Sequence, residues 1–165
     1  MTTPSKNSNK RTVDGKIMAK KTTTVLFIED ETIIALIATH AMREAGYSVD
    51  RASTGEEALE FFAQKGYDLI VSDVELGSGM DGIATTERIL NNAAVPILFM
   101  TSHGKDEVDM RAKAIAGCYD YIRKDSDMGQ IVDAIELCLQ RGNGRLLFDY
   151  IGGKVGSDTT PDETR

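Results

Sequence analysis

The chain has 165 residues, of which 41% are hydrophobic and 27% are charged, a composition typical of one globular domain with residues to spare. A formal net charge of −7 argues against a broad basic surface for nucleic acid, and no apolar run reaches the roughly 18 residues of a membrane span. Because the polar N-terminus also lacks the apolar core of a signal peptide, we expect a cytoplasmic protein without membrane or nucleic-acid partners.

Residues 1–22 are rich in Thr, Ser, Asn and Lys, and they predict a disordered leader. From residue 23 to residue 141, short apolar runs alternate with amphipathic segments. The predicted strands are 24–29, 47–52, 67–72, 95–100 and 118–123, and the predicted helices are 31–45, 55–65, 82–92, 106–116 and 127–141. Glycines directly after four of these helices are typical helix ends.

This alternation predicts a parallel sheet covered by helices on both faces. The strands are short and almost continuously apolar, as expected when both faces of a sheet are buried. Right-handed crossovers and the small size favour an α/β fold of the flavodoxin-like type, a doubly wound five-stranded sheet in the order 2-1-3-4-5. In that order the first and third strands are neighbours, so the residues that end them should lie side by side.

Four of the predicted strands end in residues that suit a metal ion and a phosphoryl group. They are Glu29 and Asp30 after the first strand, Asp73 at the end of the third, Thr101 after the fourth and Lys124 after the fifth. The carboxyl ends of the strands form the ligand site in open α/β sheets. Each residue alone has an ordinary explanation as a turn former, helix cap or surface charge, so the prediction depends on the four strand ends meeting at one edge.

The acidic residues of this set are expected to bind Mg²⁺, which prefers oxygen ligands. Asp30 and Asp73 could supply carboxylates directly, and Glu29 could bind directly or through water. The backbone carbonyl of Glu75, two residues after Asp73, is a candidate for the remaining protein contact.

Asp73 is also a candidate nucleophile, because carboxylates act in that role in phosphoryl transfer. The transition state of this reaction depends mainly on positioning and on charge neutralisation. We therefore expect the Lys124 ammonium and the Thr101 hydroxyl to bind two different phosphoryl oxygens.

Four segments together carry a resemblance to a known family. They are VLFIEDE at 25–31, YDLIVSD at 67–73, VPILFMTS at 95–102 and GCYDYIRK at 117–124. With these motifs, the stretch from about 23 to 141 resembles the receiver domain of two-component response regulators. The resemblance implies a phosphoprotein of a phosphorelay that is a signalling protein and not an enzyme. It also implies Mg²⁺-dependent transfer from a sensor histidine kinase or a phosphotransfer protein to Asp73, and then contact with an unknown downstream protein.

The resemblance further implies roles for residues around the acceptor. Thr101 would move toward the phosphoryl group, and Tyr121 would rotate inward as the coupled switch aromatic. Glu75 and His103 occupy positions that tune the lifetime of the phosphoryl group in the family. We therefore expect both residues to change the rate of hydrolysis.

The chain departs from the family pattern at three positions, one of which is Gly77, where the family often has Pro and where we expect a more flexible loop. Glu29 stands where the family usually has Asp, and its extra methylene is expected to alter metal contact or water bridging. Asp125 follows Lys124 where the family usually has a cis-bonded Pro. A cis bond is costly without Pro, so we expect this peptide to be trans.

Residues 142–165 are too few for an output domain, so the chain is expected to act as a stand-alone regulator. Within them, 145–151 is apolar enough to pack on its own domain or to form a homodimer contact. Two other functions remain open. One is a receiver-like binding module that works without phosphorylation, as Glu29 and the missing Pro would suit. The other is a Mg²⁺-dependent phosphatase with Asp73 as nucleophile, although Glu75 is a poor substitute for the acid such enzymes need.

Overall fold

The computed structural model describes residues 12–13, 16–17, 21–115 and 119–142, and its centre is a parallel sheet of five strands. The strands are β1 Thr24–Ile28, β2 Ser48–Ala52, β3 Leu69–Asp73, β4 Ile97–Thr101 and β5 Tyr119–Arg123. The α-helices are α1 Thr32–Glu44, α2 Gly55–Gln64, α3 Gly82–Leu90, α4 Lys105–Arg111 and α5 Met128–Arg141. Strands and helices alternate along the chain, as the sequence predicts.

The strands lie in the order β2-β1-β3-β4-β5, which confirms the predicted doubly wound topology. Neighbouring strands of this sheet are parallel, and Ile28 of β1 pairs with Ser72 of β3. Thr101 at the end of β4 pairs with Arg123 at the end of β5. This register brings the carboxyl ends of β1, β3, β4 and β5 to one edge of the sheet.

The core consists of two apolar clusters, one on each face of the sheet. Successive side chains of a strand point to opposite faces. Leu26 and Ile28 of β1 therefore join the cluster under α2, α3 and α4, whereas Val25 and Phe27 join the cluster under α1 and α5. Burial of both faces explains why the strands are almost continuously apolar in sequence.

The fourth helix is shorter than the predicted 106–116. α4 ends at Arg111, and the chain continues as a 3₁₀ helix at Lys113–Ile115. Ala112 and Ile115 are both buried, and their spacing of three residues matches the period of a 3₁₀ helix. In this geometry residues three apart lie directly above one another, so both apolar side chains face the core.

The predicted leader and C-terminal extension lie largely outside the described residues. Thr12–Val13 and Lys16–Ile17 of the leader form a short antiparallel pair. The disorder of residues 1–22 and the packing or dimer contact of 145–151 stay predictions. Where the chain is described, none of its helices combines the length and the apolar character that crossing a membrane requires.

Gly82, the first residue of α3, packs directly against the end of β3. A Cβ added there would overlap the carbonyl oxygen of Asp73 and lie 2.6 Å from Ser72 Oγ. Gly82→Ala is therefore expected to lower the free energy of unfolding by about 2 kcal/mol or more, measured by urea denaturation. Gly66→Ala is the matched control, because nothing lies within 4 Å of its added Cβ. Equal losses in the two variants would contradict this account of the β3–α3 junction.

Candidate functional site

The carboxyl edge of the sheet holds a cluster of buried polar side chains. Glu29 follows β1, Asp73 ends β3 and Thr101 ends β4, and each is at most 3% exposed. Asp30, next to Glu29, is half-buried. The parallel register brings these residues together although they are far apart in sequence.

Lys124 reaches into this cluster from the residue after β5. Its backbone N–H donates to the carbonyl oxygen of Thr101 at 2.9 Å and so extends the β4–β5 ladder. Its ammonium Nζ lies 2.6 Å from Asp73 Oδ2, 3.0 Å from Glu29 Oε2 and 3.2 Å from Glu31 Oε1. The Lys124 side chain is only 9% exposed, so one buried ammonium is shared by three carboxylates.

The titration of these groups follows from their burial and their contacts. Burial raises the pKa of the Asp73 and Glu29 carboxyls, because desolvation penalises the charged form. Hydrogen bonds from Lys124, and from the N–H groups of Glu75 and Glu31, act in the opposite direction. Burial alone would lower the pKa of Lys124, but its contacts with Asp73 and Glu29 outweigh that effect and raise this pKa. The ammonium is therefore charged at neutral pH.

Three carboxylates of the site are spaced to share a cation. Glu29, Asp30 and Asp73 each offer an oxygen, and these atoms lie within 4.8 Å of one another. Glu29 Oε2 is buried and accepts no hydrogen bond from the described residues, although the Lys124 ammonium lies nearby. Hard oxygen donors with spare acceptor capacity fit Mg²⁺. The ligand role of the Glu75 carbonyl stays a prediction.

The loop after β3 is tied to these carboxylates by its backbone. The N–H of Glu75 donates to Asp73 Oδ1 at 3.0 Å, and the N–H of Gly77 donates to Asp30 Oδ2 at 2.9 Å. A Cβ added at Gly77 would lie 2.8 Å from the same Asp30 oxygen. The glycine therefore permits the close approach of this loop to Asp30.

Thr101 and Tyr121, the two predicted switch residues, are both buried. Thr101 Oγ1 accepts a hydrogen bond from the N–H of His103 at 2.9 Å. Tyr121 pairs with Phe99 in the β4–β5 register and belongs to the cluster under α2, α3 and α4. The Tyr121 side chain thus lies inside the protein in this structure, and its coupled movement with Thr101 stays a prediction.

The residues predicted to tune phosphoryl lifetime are in direct contact. His103 Nε2 lies 2.8 Å from Glu75 Oε1, and His103 Nδ1 lies 2.9 Å from Glu107 Oε2 in α4. Arg111 of α4 lies 3.8 Å from Glu75 and donates to Asp81 at 2.9 Å. These side chains join the loop after β3 to the loop and helix after β4.

The chain after Lys124 also differs from the family pattern as expected. The Lys124–Asp125 peptide is trans. The guanidinium of Arg123 donates two hydrogen bonds to the Asp125 carboxylate, at 2.9 Å and 3.0 Å. The acidic side chain of Asp125 is therefore neutralised locally, by a residue of β5.

Three residues of the site were not singled out from the sequence. Glu31 contacts Lys124, Glu107 contacts His103, and Arg51 of β2 donates to the backbone carbonyls of the loop after β1. The i,i+4 spacing of His103 and Glu107 is a signal that could have found that pair. No pattern identifies Arg51, because an arginine on an edge strand is usually a solvated charge.

Comparisons with known proteins agree with this geometry. The model of the response regulator receiver domain family matches residues 25–136. The transcriptional activator protein IrlR of Burkholderia pseudomallei is 33% identical over 73% of this chain and 52% of its own length. The transcriptional regulatory protein ZraR of Salmonella typhimurium is 34% identical over 70% of this chain and 26% of its own length. The chain thus spans about half, or less, of the length of these relatives.

Solved structures show the same fold. The chemotaxis protein CheY4 of Vibrio cholerae has a TM-score of 0.63 and 26% identity, over 73% of this chain and 98% of that chain. The response regulator TrrA of Thermotoga maritima, solved in complex with Mg²⁺ and BeF, has a TM-score of 0.61 and 25% identity, over 70% of this chain and 98% of that chain. The family model, these similarities and the shared sheet topology show that the chain belongs to the receiver domain family of response regulators, the phosphorylation-dependent signalling domains of two-component systems.

Proposed function

We propose that Asp73 accepts a phosphoryl group from a phosphohistidine of a sensor histidine kinase or a phosphotransfer protein. Glu29, Asp30 and Asp73, with the carbonyl of Glu75, would hold Mg²⁺ for this step. The phosphorylated chain would then signal by contact with a downstream protein.

The pairing of Asp73 with Lys124 at 2.6 Å inside the acidic cluster is the observation that carries this proposal. Asp73 Oδ1 accepts from the N–H of Glu75, and Oδ2 faces the Lys124 ammonium. Both oxygens are therefore held in a fixed orientation, which favours attack along a defined line. The family membership independently supports phosphorylation on an aspartate.

In the proposed step, an oxygen of Asp73 forms a bond to phosphorus while the bond from phosphorus to the donor imidazole nitrogen breaks. The electron pair of that bond leaves with the nitrogen. The Lys124 ammonium offsets the negative charge of the phosphoryl oxygens, and the Thr101 hydroxyl, whose oxygen accepts a bond from the N–H of His103, would donate its own proton to one of them. Mg²⁺, when bound, supplies the remaining positive charge.

The kinase and the downstream partner belong to the same proposal. The curated relatives IrlR and ZraR are named as transcriptional regulators and are longer than this chain. Residues 23–141 would form the receiver, with a leader at 1–22 and an extension at 142–165. We propose that this signalling role involves no further enzymatic activity.

Incubation with acetyl phosphate, with Mg²⁺ or with EDTA, followed by intact mass measurement, tests the proposal. We expect one phosphoryl adduct with Mg²⁺ and none with EDTA, because the buried carboxylates need a cation beside the incoming phosphoryl group. If no donor gives an adduct, the chain is a binding module that works without phosphorylation. Repeated turnover of phosphate esters would instead identify a phosphatase.

The contact between His103 and Glu75 is expected to lengthen the lifetime of the aspartyl phosphate. Their side chains tie together two loops whose N–H groups hold Thr101 and Asp73, so the loops restrict the access of water. His103→Ala and Glu75→Ala should therefore lose the adduct faster than the parent after the donor is removed, as followed by mass. Lys105→Ala, which breaks an exposed pair elsewhere in α4, should decay like the parent. Identical decay in all four proteins would refute the tuning role.

A further inference from the structure

Arg51 of β2 binds the backbone of the loop that carries the acidic pair. Its Nε and Nη2 lie 3.3 Å and 3.2 Å from the carbonyl oxygen of Glu29, and Nη2 lies 3.4 Å from the carbonyl oxygen of Asp30. The paired residues of β1 and β2 end at Ile28 and Ala52, and the N–H of Glu29 still donates to the carbonyl oxygen of Ala52 at 3.0 Å. The half-buried guanidinium thus continues the attachment of the chain to β2 beyond the end of the strand.

We propose that Arg51 is a positioning residue for the cation, an inference that rests on the proposed Mg²⁺ role of Glu29 and Asp30. One planar guanidinium can donate to two successive carbonyls at once. This contact fixes the direction of the backbone from which the two carboxylates extend. Outer contacts of this kind orient metal ligands, and their loss typically weakens metal affinity by about 10–100-fold.

The charge of Arg51 and its contacts have opposite effects on a bound cation. A positive guanidinium close to the site repels Mg²⁺, so its removal by charge alone would tighten binding. Its hydrogen bonds hold the ligands in place, so their loss would weaken binding. The direction of the change in affinity therefore separates a positioning role from a simple surface charge.

Arg43 of α1 is a matched control for this comparison. Its Nη2 donates to the carbonyl oxygen of Val49 in β2 at 2.9 Å, two residues before Arg51. Within the described part of the chain, Arg43 donates this hydrogen bond to β2 and donates none to residues 29–31. Arg43→Met thus removes a neighbouring arginine charge and a carbonyl contact, and it leaves the attachment of the acidic loop intact.

Calorimetric titration of the full chain with Mg²⁺ tests the inference without any phosphodonor. We expect Arg51→Met to weaken Mg²⁺ binding by about tenfold, the lower end of the range for outer contacts, and Arg43→Met to leave it unchanged or slightly tighter. Arg51→Lys keeps the charge but lacks the planar fork, and we expect it to weaken binding in the same direction. Thermal melts identify any variant that is unfolded, and the lysine variant decides the question if the methionine variant does not fold.

The inference is overturned if both Arg51 variants bind Mg²⁺ as tightly as the parent or more tightly. It is also overturned if Arg43→Met weakens binding as much as Arg51→Met, or if the parent binds no Mg²⁺. A parent that binds Mg²⁺ but forms no phosphoryl adduct would instead refute the proposed phosphoacceptor function. The two proposals therefore fail in different experiments.

Discussion

Replacing Lys124 with methionine is expected to lower the free energy of unfolding by about 3 kcal/mol at pH 8. The ammonium contacts Asp73 and Glu29, which are both buried, and also the exposed Glu31. Methionine preserves much of the apolar stem but leaves the two buried carboxylates without their cation. A buried carboxylate without a partner destabilises the fold by more than the ion pair stabilises it. No attraction then offsets the free energy needed to remove its charge from water.

The loss of stability should depend on pH in a defined direction. Burial already raises the pKa of Asp73 and Glu29, and removal of Lys124 takes away an interaction that lowers both values. A carboxyl with a raised pKa binds more protons in the folded state than in the unfolded state, so its folded form loses stability as pH rises through that range. The deficit of Lys124→Met should therefore be smaller at pH 5 than at pH 8. Saturating Mg²⁺ should also stabilise the variant more than the parent.

Urea denaturation at the two pH values, with and without Mg²⁺, measures this effect. Lys65→Met is the matched control, because Lys65 pairs with Asp50 at 2.7 Å but is 51% exposed. Exposed pairs contribute about 0–1 kcal/mol, so little loss is expected there. Equal losses for the two lysines, or a Lys124→Met deficit that does not change with pH, would contradict the account of a shared buried ammonium.

The arrangement of the sheet could be predicted because its determinants are local. Short apolar runs, amphipathic segments and glycine stops each specify an element, and the handedness of crossovers then limits the strand order. Asp73, Thr101 and Lys124 could be singled out for the same reason. Each ends or directly follows a strand, and parallel strands of similar length bring those positions to one edge.

The contacts that the sequence did not predict depend on side-chain reach across elements. Arg51 extends from the edge strand to two backbone carbonyls, and no residue pattern records that approach. The contact of Lys124 with Glu31 likewise depends on how far the lysine side chain extends from the end of β5 toward the start of α1. The change from α to 3₁₀ geometry after Arg111 accompanies the packing of Ile115 against residues of other elements, which no local pattern records.

Asp73→Asn is expected to abolish the phosphoryl adduct. The substitution keeps the shape of the side chain, but an amide oxygen is a far weaker nucleophile than a carboxylate and gives no stable acyl phosphate. The other buried acids of the site, chiefly Glu29, are expected to hold the cation and not to replace Asp73 as acceptor. Asp120→Asn is the matched control, because Asp120 is equally buried on β5 but lies four residues before Lys124, away from the carboxyl edge.

The most direct test is the intact mass of the parent, Asp73→Asn and Asp120→Asn after incubation with acetyl phosphate and Mg²⁺. We expect a single phosphoryl adduct on the parent and on Asp120→Asn, and none on Asp73→Asn. An adduct of equal yield on Asp73→Asn would contradict the assignment of Asp73 as the phosphoacceptor.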